Sequence, residues 1–225
     1  MTDTAKRRLI DVSHTVEDGM ITYKGFPAPV ITDWMSREAS RERYAHGYEF
    51  QIGRINMIAN TGTYVDSPFH RYHNGKDLSE LPLESVADLE CLVVRVDPGA
   101  GASIDTIDLP AHHVAGRAVL FHTGWDRHWR TDAYFDGHPH LTARAAEWLA
   151  KAGAALVGID SLNIDGTSNG ERPVHSILLG REIPIVEHMC GLSAVPDAGG
   201  RFTAVPVKVK GMGTFPVRAY VSADT

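Results

Sequence analysis

The stretch Asn60-Thr61-Gly62-Thr63-Tyr64-Val65-Asp66-Ser67-Pro68-Phe69-His70 sets a carboxylate and an imidazole four positions apart, directly after a run of strand character. That run, Phe50 to Ile58, carries Phe50, Ile52, Ile55, Met57 and Ile58 and delivers the chain into the bend. Gly62 follows a polar turn, and Ser67-Pro68 is set to open a helix because proline's fixed φ suits a first helical position. A strand that ends in a polar bend holds its backbone still while the bend exposes ligands. The stretch is therefore read as a site at the edge or end of a sheet.

On the N-terminal side, Leu9-Ile10-Asp11-Val12-Ser13-His14 has the β-branched content of a short strand, and Asp18-Gly19 signals a turn. Tyr23 to Pro29 is an extended, proline-fixed loop whose aromatic residues either line a pocket or pack an edge. On the C-terminal side, Glu90–Asp97 and Arg117–Gly124 are predicted strands. Asp126 to His140 is read as a surface excursion in which Tyr134, Phe135, His138 and His140 either border a pocket or anchor the loop. Leu141 to Ala152 is the clearest helix: Leu141, Ala145, Trp148, Leu149 and Ala152 share a face, Thr142 caps it and Gly153 stops it. Ala154–Asp160 is a buried strand ending in polar groups, Val174–Gly180 one or two helical turns, and Ile183–Glu187 a short strand. Ala204–Lys210 and Phe215–Val221 are expected to close the chain as an antiparallel pair around Gly211-Met212-Gly213.

Composition narrows the function classes. The 225 residues suit a single domain spanning 1–225, and 43% hydrophobic with 22% charged residues is ordinary globular usage. A net charge of −6 leaves no basic field for a nucleic-acid partner. No apolar run approaches the roughly 20 residues of a bilayer span, so no membrane partner is expected. The start, Met1 to Arg8, lacks the apolar core of a secretory signal, and the expected location is cytoplasmic. Cys91 and Cys190 have no CxxC spacing and are read as free thiols. Histidine is abundant, at 12, and several lie near Asp and Gly.

Asp66 and His70 on the bend, His175 at the start of the short helix and Glu187 at the end of the next strand are the candidate ligands. Two carboxylates with two imidazoles suit a borderline divalent ion, Zn²⁺ or Mn²⁺, because the acids supply charge and the imidazoles neutral nitrogen donors.

Asn60 to His70 resembles the signature H-x-G-T-H-x-D-x-P-x-H of the cyclase family of metal-dependent hydrolases, the group that includes kynurenine formamidase and isatin hydrolase. Gly62, Thr63, Asp66, Pro68 and His70 match in register. The likeness continues through Ile10–His14, His122-Thr123-Gly124-Trp125, Gly158–Ser161, His175 and Ile185-Val186-Glu187. The resemblance implies an α/β fold of the swivelling β/β/α type, with a mixed, partly barrel-like sheet, few flanking helices and assembly as a dimer or tetramer. It also implies Asp66, His175 and Glu187 as ligands and His70 as the proton-transfer group. Asn60 and Tyr64 depart from the pattern, standing where two further histidine ligands would be. An amide is a weaker donor than imidazole, and a phenol binds well only once ionised. One metal position is therefore expected to be lost, leaving a single ion.

The implied activity is hydrolysis of a C–N bond in a small amide, arylformamidase-like, with N-formylkynurenine as the default substrate. Tyr64 is then a catalytic donor to the developing oxyanion, a support for Asp66, or only a filler of the space a lost metal leaves. His14, Trp125 and Asp160 are placed at the pocket border without a catalytic role, and His73 is either a substitute donor or solvent-facing. Two other readings stay open: a small-molecule binding or regulatory protein that has lost hydrolysis, and a metal-assisted lyase or dehydratase.

Overall fold

The computed structural model describes residues 7–97, 99 and 101–224. The polar start at residues 1–6, read above for targeting, lies outside the described residues. In chain order the elements are β1 (Arg7–Asp11), β2 (Val30–Met35), α1 (Arg37–Ser40), β3 (Ile52–Asn56), β4 (Tyr64–Asp66), β5 (Leu89–Arg95), β6 (Ser103–Ile104) and α2 (Ala111–Val114). They continue with β7 (Ala118–His122), β8 (His140–Leu141), α3 (Ala143–Ala152), β9 (Leu156–Ile159), α4 (Pro173–Leu179), β10 (Ile185–Glu187), β11 (Gly200–Thr203), β12 (Thr214–Pro216) and β13 (Tyr220–Asp224).

Nine strands form one sheet in the order β1-β13-β11-β5-β7-β9-β10-β4-β12. Its centre, β5 through β10, is parallel, and both flanks are antiparallel. Parallel strands covered on both faces need apolar side chains pointing both ways. Ala118, Leu120 and Leu156 accordingly enter one apolar core, while their neighbours Val119, Phe121 and Val157 enter another with α3 and α4. Ile10 of β1 and Val65 of β4 belong to the same core although six strands separate them in the sheet. The sheet must curl for its flanks to meet, and Ser13 bridges to Met189 across the closure. This is the mixed, partly barrel-like α/β arrangement with few helices that the resemblance implied.

The predicted helix is α3, its Thr142 side chain accepting from Ala145 N and Gly153 closing it in the left-handed conformation. Two strand expectations are corrected. The Phe50–Ile58 run does not join the main sheet: β3 pairs only with β2 in a separate hairpin, and all five of its residues are exposed. Ala204–Lys210 forms no strand. Pro206 lacks the N–H a ladder needs, and Val205 and Val207 are exposed rather than packed. The supposed closing pair is two unrelated pairings, β12 with β4 at one edge and β13 between β1 and β11 at the other. The 126–140 excursion also turns inward, burying Tyr134 and His138. Among the described residues no helix is long and apolar enough to cross a membrane.

Candidate metal centre

Three short elements converge at the end of the sheet. β4 carries Tyr64 and Asp66, β10 beside it carries Glu187, and α4 lays His175 over both. Asp66, Glu187 and His175 are all buried. His70 follows on a one-turn 3₁₀ segment opened by Pro68, with its side chain 35% exposed. Gly213 fixes that turn: a Cβ there would come within 2.5 Å of His70 Cα, and its carbonyl accepts Ser67 N at 2.7 Å. Only glycine permits so close a backbone approach.

Each imidazole has one nitrogen assigned by its neighbours. Asp165 accepts the backbone N–H groups of Val174 and His175 and, at 2.7 Å, the ring Nδ1 of His175. That leaves His175 Nε2 as a lone pair turned inward, 3.7 Å from Asp66 Oδ2 and 3.6 Å from Glu187 Oε1. Thr214 donates its hydroxyl to Asp66 Oδ1 and therefore accepts from His70 Nδ1 at 2.9 Å. The result is a carboxylate–hydroxyl–imidazole chain that leaves the other ring nitrogen of His70 free to act as a base. His70, Arg71, Asn163, Arg172 and His175 line a cavity of about 110 Å³ at this point.

His175 Nε2 stands between Asp66 Oδ2 and Glu187 Oε1 in a buried space; Oε1 also accepts from Ile164 N at 2.6 Å, while Asp66 Oδ2 has no hydrogen-bond partner. Such an arrangement calls for a cation. Separations of 3.6 and 3.7 Å exceed hydrogen-bond length. They resemble the roughly 3.4 Å between donors that share one ion at about 2.1 Å in a tetrahedral site. Without a metal, the positive charge falls to His175. Burial alone would lower its pKa, but Glu187, Asp165 and Asp66 outweigh burial and raise it to about 10. Burial and the charge of Asp66 push Glu187 up to about 7.

The residues implied by the resemblance are thus brought together, with one difference. Asp66, His70 and His175 offer ligand atoms that all lie within 4.8 Å of one another, and Glu187 joins this group only through its approach to His175. The other side of Glu187 has a different chemistry. Tyr64, fully buried, donates its hydroxyl to Glu187 Oε2 at 2.6 Å, not to Asp66. Its OH lies 3.2 Å from that of Tyr23, which donates to Leu162 O and accepts from Asn163 Nδ2. Burial, reinforced by Glu187, raises the Tyr64 pKa well above its ordinary value, in keeping with a phenol that donates its proton to a carboxylate. Asn60 is half-buried and takes no part in these bonds. The residues do not fit a second ion on this side.

Tyr23, Asn163, Asp165 and Thr214 are the members that sequence reasoning did not assign. Asn163 and Asp165 follow the strand-end stretch 158–161, which was a signal of position but not of role. His73 is exposed and outside the cluster. Asp160 is a structural anchor, accepting from Thr123 and Gly124, and His14 stacks on Trp129 at 3.9 Å.

A curled mixed sheet with acids and imidazoles gathered at its strand ends defines an α/β protein carrying a candidate divalent-cation centre. The family profile described as "Putative cyclase" matches residues 10–166. A kynurenine formamidase from Erythrobacter litoralis is 30% identical over 91% of this chain and 89% of its own length. The chain belongs to the cyclase family. Among solved structures, a predicted metal-dependent hydrolase from Bacillus stearothermophilus superposes with a TM-score of 0.70 at 26% identity, over 97% of this chain and 99% of its own. Isatin hydrolase A from Labrenzia aggregata shares the fold at 19% identity, with a TM-score of 0.79 over 97% and 94% of the two chains.

Proposed function

We propose that this chain is a metal-dependent hydrolase of a C–N bond in a small amide, of the arylformamidase type. The observation that carries the reading is the unpartnered buried oxygen of Asp66 facing the lone pair of His175 beside Glu187. Kynurenine formamidase and isatin hydrolase relatives support the reaction class. Asp66, His175 and Glu187 would hold one Zn²⁺ or Mn²⁺ ion. Such an ion supplies a charge that polarises an acyl carbonyl and lowers the pKa of a water molecule.

The chain's own groups then handle the protons. His70, oriented at Nδ1 by Thr214, takes a proton from the attacking water at its free nitrogen. It returns that proton to the nitrogen of the breaking C–N bond, so the amide leaves as an acid and an amine. Tyr64 is assigned a positioning role: it does not line the cavity, and it holds Glu187 by one oxygen. The test is metal analysis of the purified protein together with hydrolysis of formanilide. About one equivalent of ion and metal-dependent turnover are expected, and protein that binds no ion after incubation with zinc and manganese would overturn the reading.

A homo-oligomer, dimer or tetramer, is proposed as the working form. The β2–β3 hairpin and its loop leave Val30, Trp34, Tyr44, Tyr48, Ile52 and Ile55 exposed, and an isolated two-stranded arm is marginal in water. Light scattering should give a multiple of the 24.6 kDa chain mass.

A further inference from the structure

The cavity beside His70 and His175 is bordered by two arginines. Arg71 follows His70 at the end of the 3₁₀ turn, and Arg172 directly precedes α4. Both are held in place. Arg71 Nε donates to Ser176 Oγ at 3.0 Å, and that hydroxyl donates in turn to the carbonyl of Arg172 at 2.8 Å. Arg172 Nη1 donates to the carbonyls of Gly166, Asn169 and Glu171. These bonds use one nitrogen of each fork and leave the others free.

Neither charge is neutralised. Among the described residues no carboxylate lies within 4.0 Å of either guanidinium. The chain as a whole carries −6, so two uncompensated cations at the mouth of one small cavity run against its general field. A planar fork with free N–H groups matches a carboxylate. The cavity, at about 110 Å³, is small against the roughly 300–1,000 Å³ of sites for drug-sized ligands, so the anion and the scissile bond must be close together.

We propose that Arg71 and Arg172 form an anion subsite, and that the substrate is a small amide carrying a carboxylate next to the C–N bond that is cut. This rests on the hydrolase reading given above. The carboxylate would be gripped from the rim while the amide faces His70 and His175, which fixes the orientation in which water adds to the acyl carbon.

N-formylanthranilate and formanilide differ by that carboxylate alone and give the test. In the wild-type protein kcat/KM should favour the carboxylated amide at least about 10-fold. Arg71→Gln and Arg172→Gln should each reduce the ratio by about 10- to 100-fold, mainly through KM, as loss of a charge-assisted hydrogen bond does. Arg71→Lys should restore part of it. A ratio near one in the wild type, or a ratio that survives both substitutions in proteins with unchanged circular dichroism, overturns the proposal. Benzoate binding by calorimetry separates the two readings. If neither amide is hydrolysed the reaction class fails, and the subsite then stands if benzoate binds and is lost in Arg71→Gln, and falls if affinity is unchanged.

Discussion

The two oxygens of Glu187 look into opposite environments. Oε1 accepts the backbone N–H of Ile164 at 2.6 Å and faces His175 Nε2 at 3.6 Å, which in turn stands 3.7 Å from the unpartnered Asp66 Oδ2. Oε2 accepts from the hydroxyl of Tyr64 at 2.6 Å and the amide of Asn163 at 3.5 Å, groups that bring their own protons, with the Tyr23 hydroxyl behind Tyr64 at 3.2 Å. Both sides are buried and both satisfy the same carboxylate. They differ in what is left over: beside Oε1, the acceptor side, an Asp66 oxygen has no donor and only His175 to balance it, whereas beside Oε2, the phenol side, the Tyr64 hydroxyl already donates. The count of protons, more than the count of acids, decides where an ion can sit.

The acceptor side is tested hardest at Asp66. Asp66→Ala should abolish both metal binding and turnover, measured by elemental analysis and amide hydrolysis; a variant that still binds one equivalent would break the comparison outright. His70→Ala should keep its metal and lose about 10²- to 10⁴-fold in kcat, the range for a lost acid/base group. This also separates the two donor sets. If His70 rather than Glu187 completes the site, metal will leave with His70→Ala and stay with Glu187→Gln.

On the phenol side the effects are smaller. Tyr64→Phe strips a hydroxyl from a buried carboxylate and should weaken metal affinity about 10- to 100-fold, as loss of an outer-shell partner does, without altering stoichiometry. The paired change Asn60→His with Tyr64→His replaces O–H by a nitrogen lone pair. Titration should then register two equivalents in place of one, and an unchanged single equivalent would show that space, not donor chemistry, limits the phenol side.

The smallest effect concerns pH. The phenol side continues into an aromatic layer of Tyr134, His188, Trp129 and His14. Burial drives His14 down to about 4, with Asp126 opposing weakly, and burial lowers His138 as well. An unfolded chain takes up these protons near pH 6.5 while the folded chain refuses them. The contribution of these histidines is therefore whole above about pH 7 and declines as pH falls from 6.5 toward 4, by on the order of 2 kcal/mol for His14. Urea unfolding of the wild type and of His14→Gln at pH 7 and pH 5 isolates it: the variant should lose less stability than the wild type between the two.

Much of this was legible along the chain. Gly62, Asp66, Pro68 and His70 announce a turn that presents ligands, because a strand end, a glycine and a Ser-Pro pair act within a few residues of one another. The α3 helix was equally plain, its cap, stop and apolar face all lying within one segment. The hairpin of β2 and β3 and the fate of 204–210 were not legible. An apolar alternating run reads the same whether its partner is the central sheet, an exposed arm or nothing, and the partner lies elsewhere in the chain.

The sequence by itself determined the family and the departure at Asn60 and Tyr64, and it supplied the candidate ligands, since these depend on residue identity and short spacing. Only the tertiary structure decided what that departure does. The hydrogen bond from Tyr64 to Glu187 spans 123 positions, and the link from Thr214 to His70 spans 144. Which oxygen keeps a free lone pair and which nitrogen keeps a proton is settled by neighbours that the curled sheet brings together from its two ends, and spacing along the chain carries no trace of it.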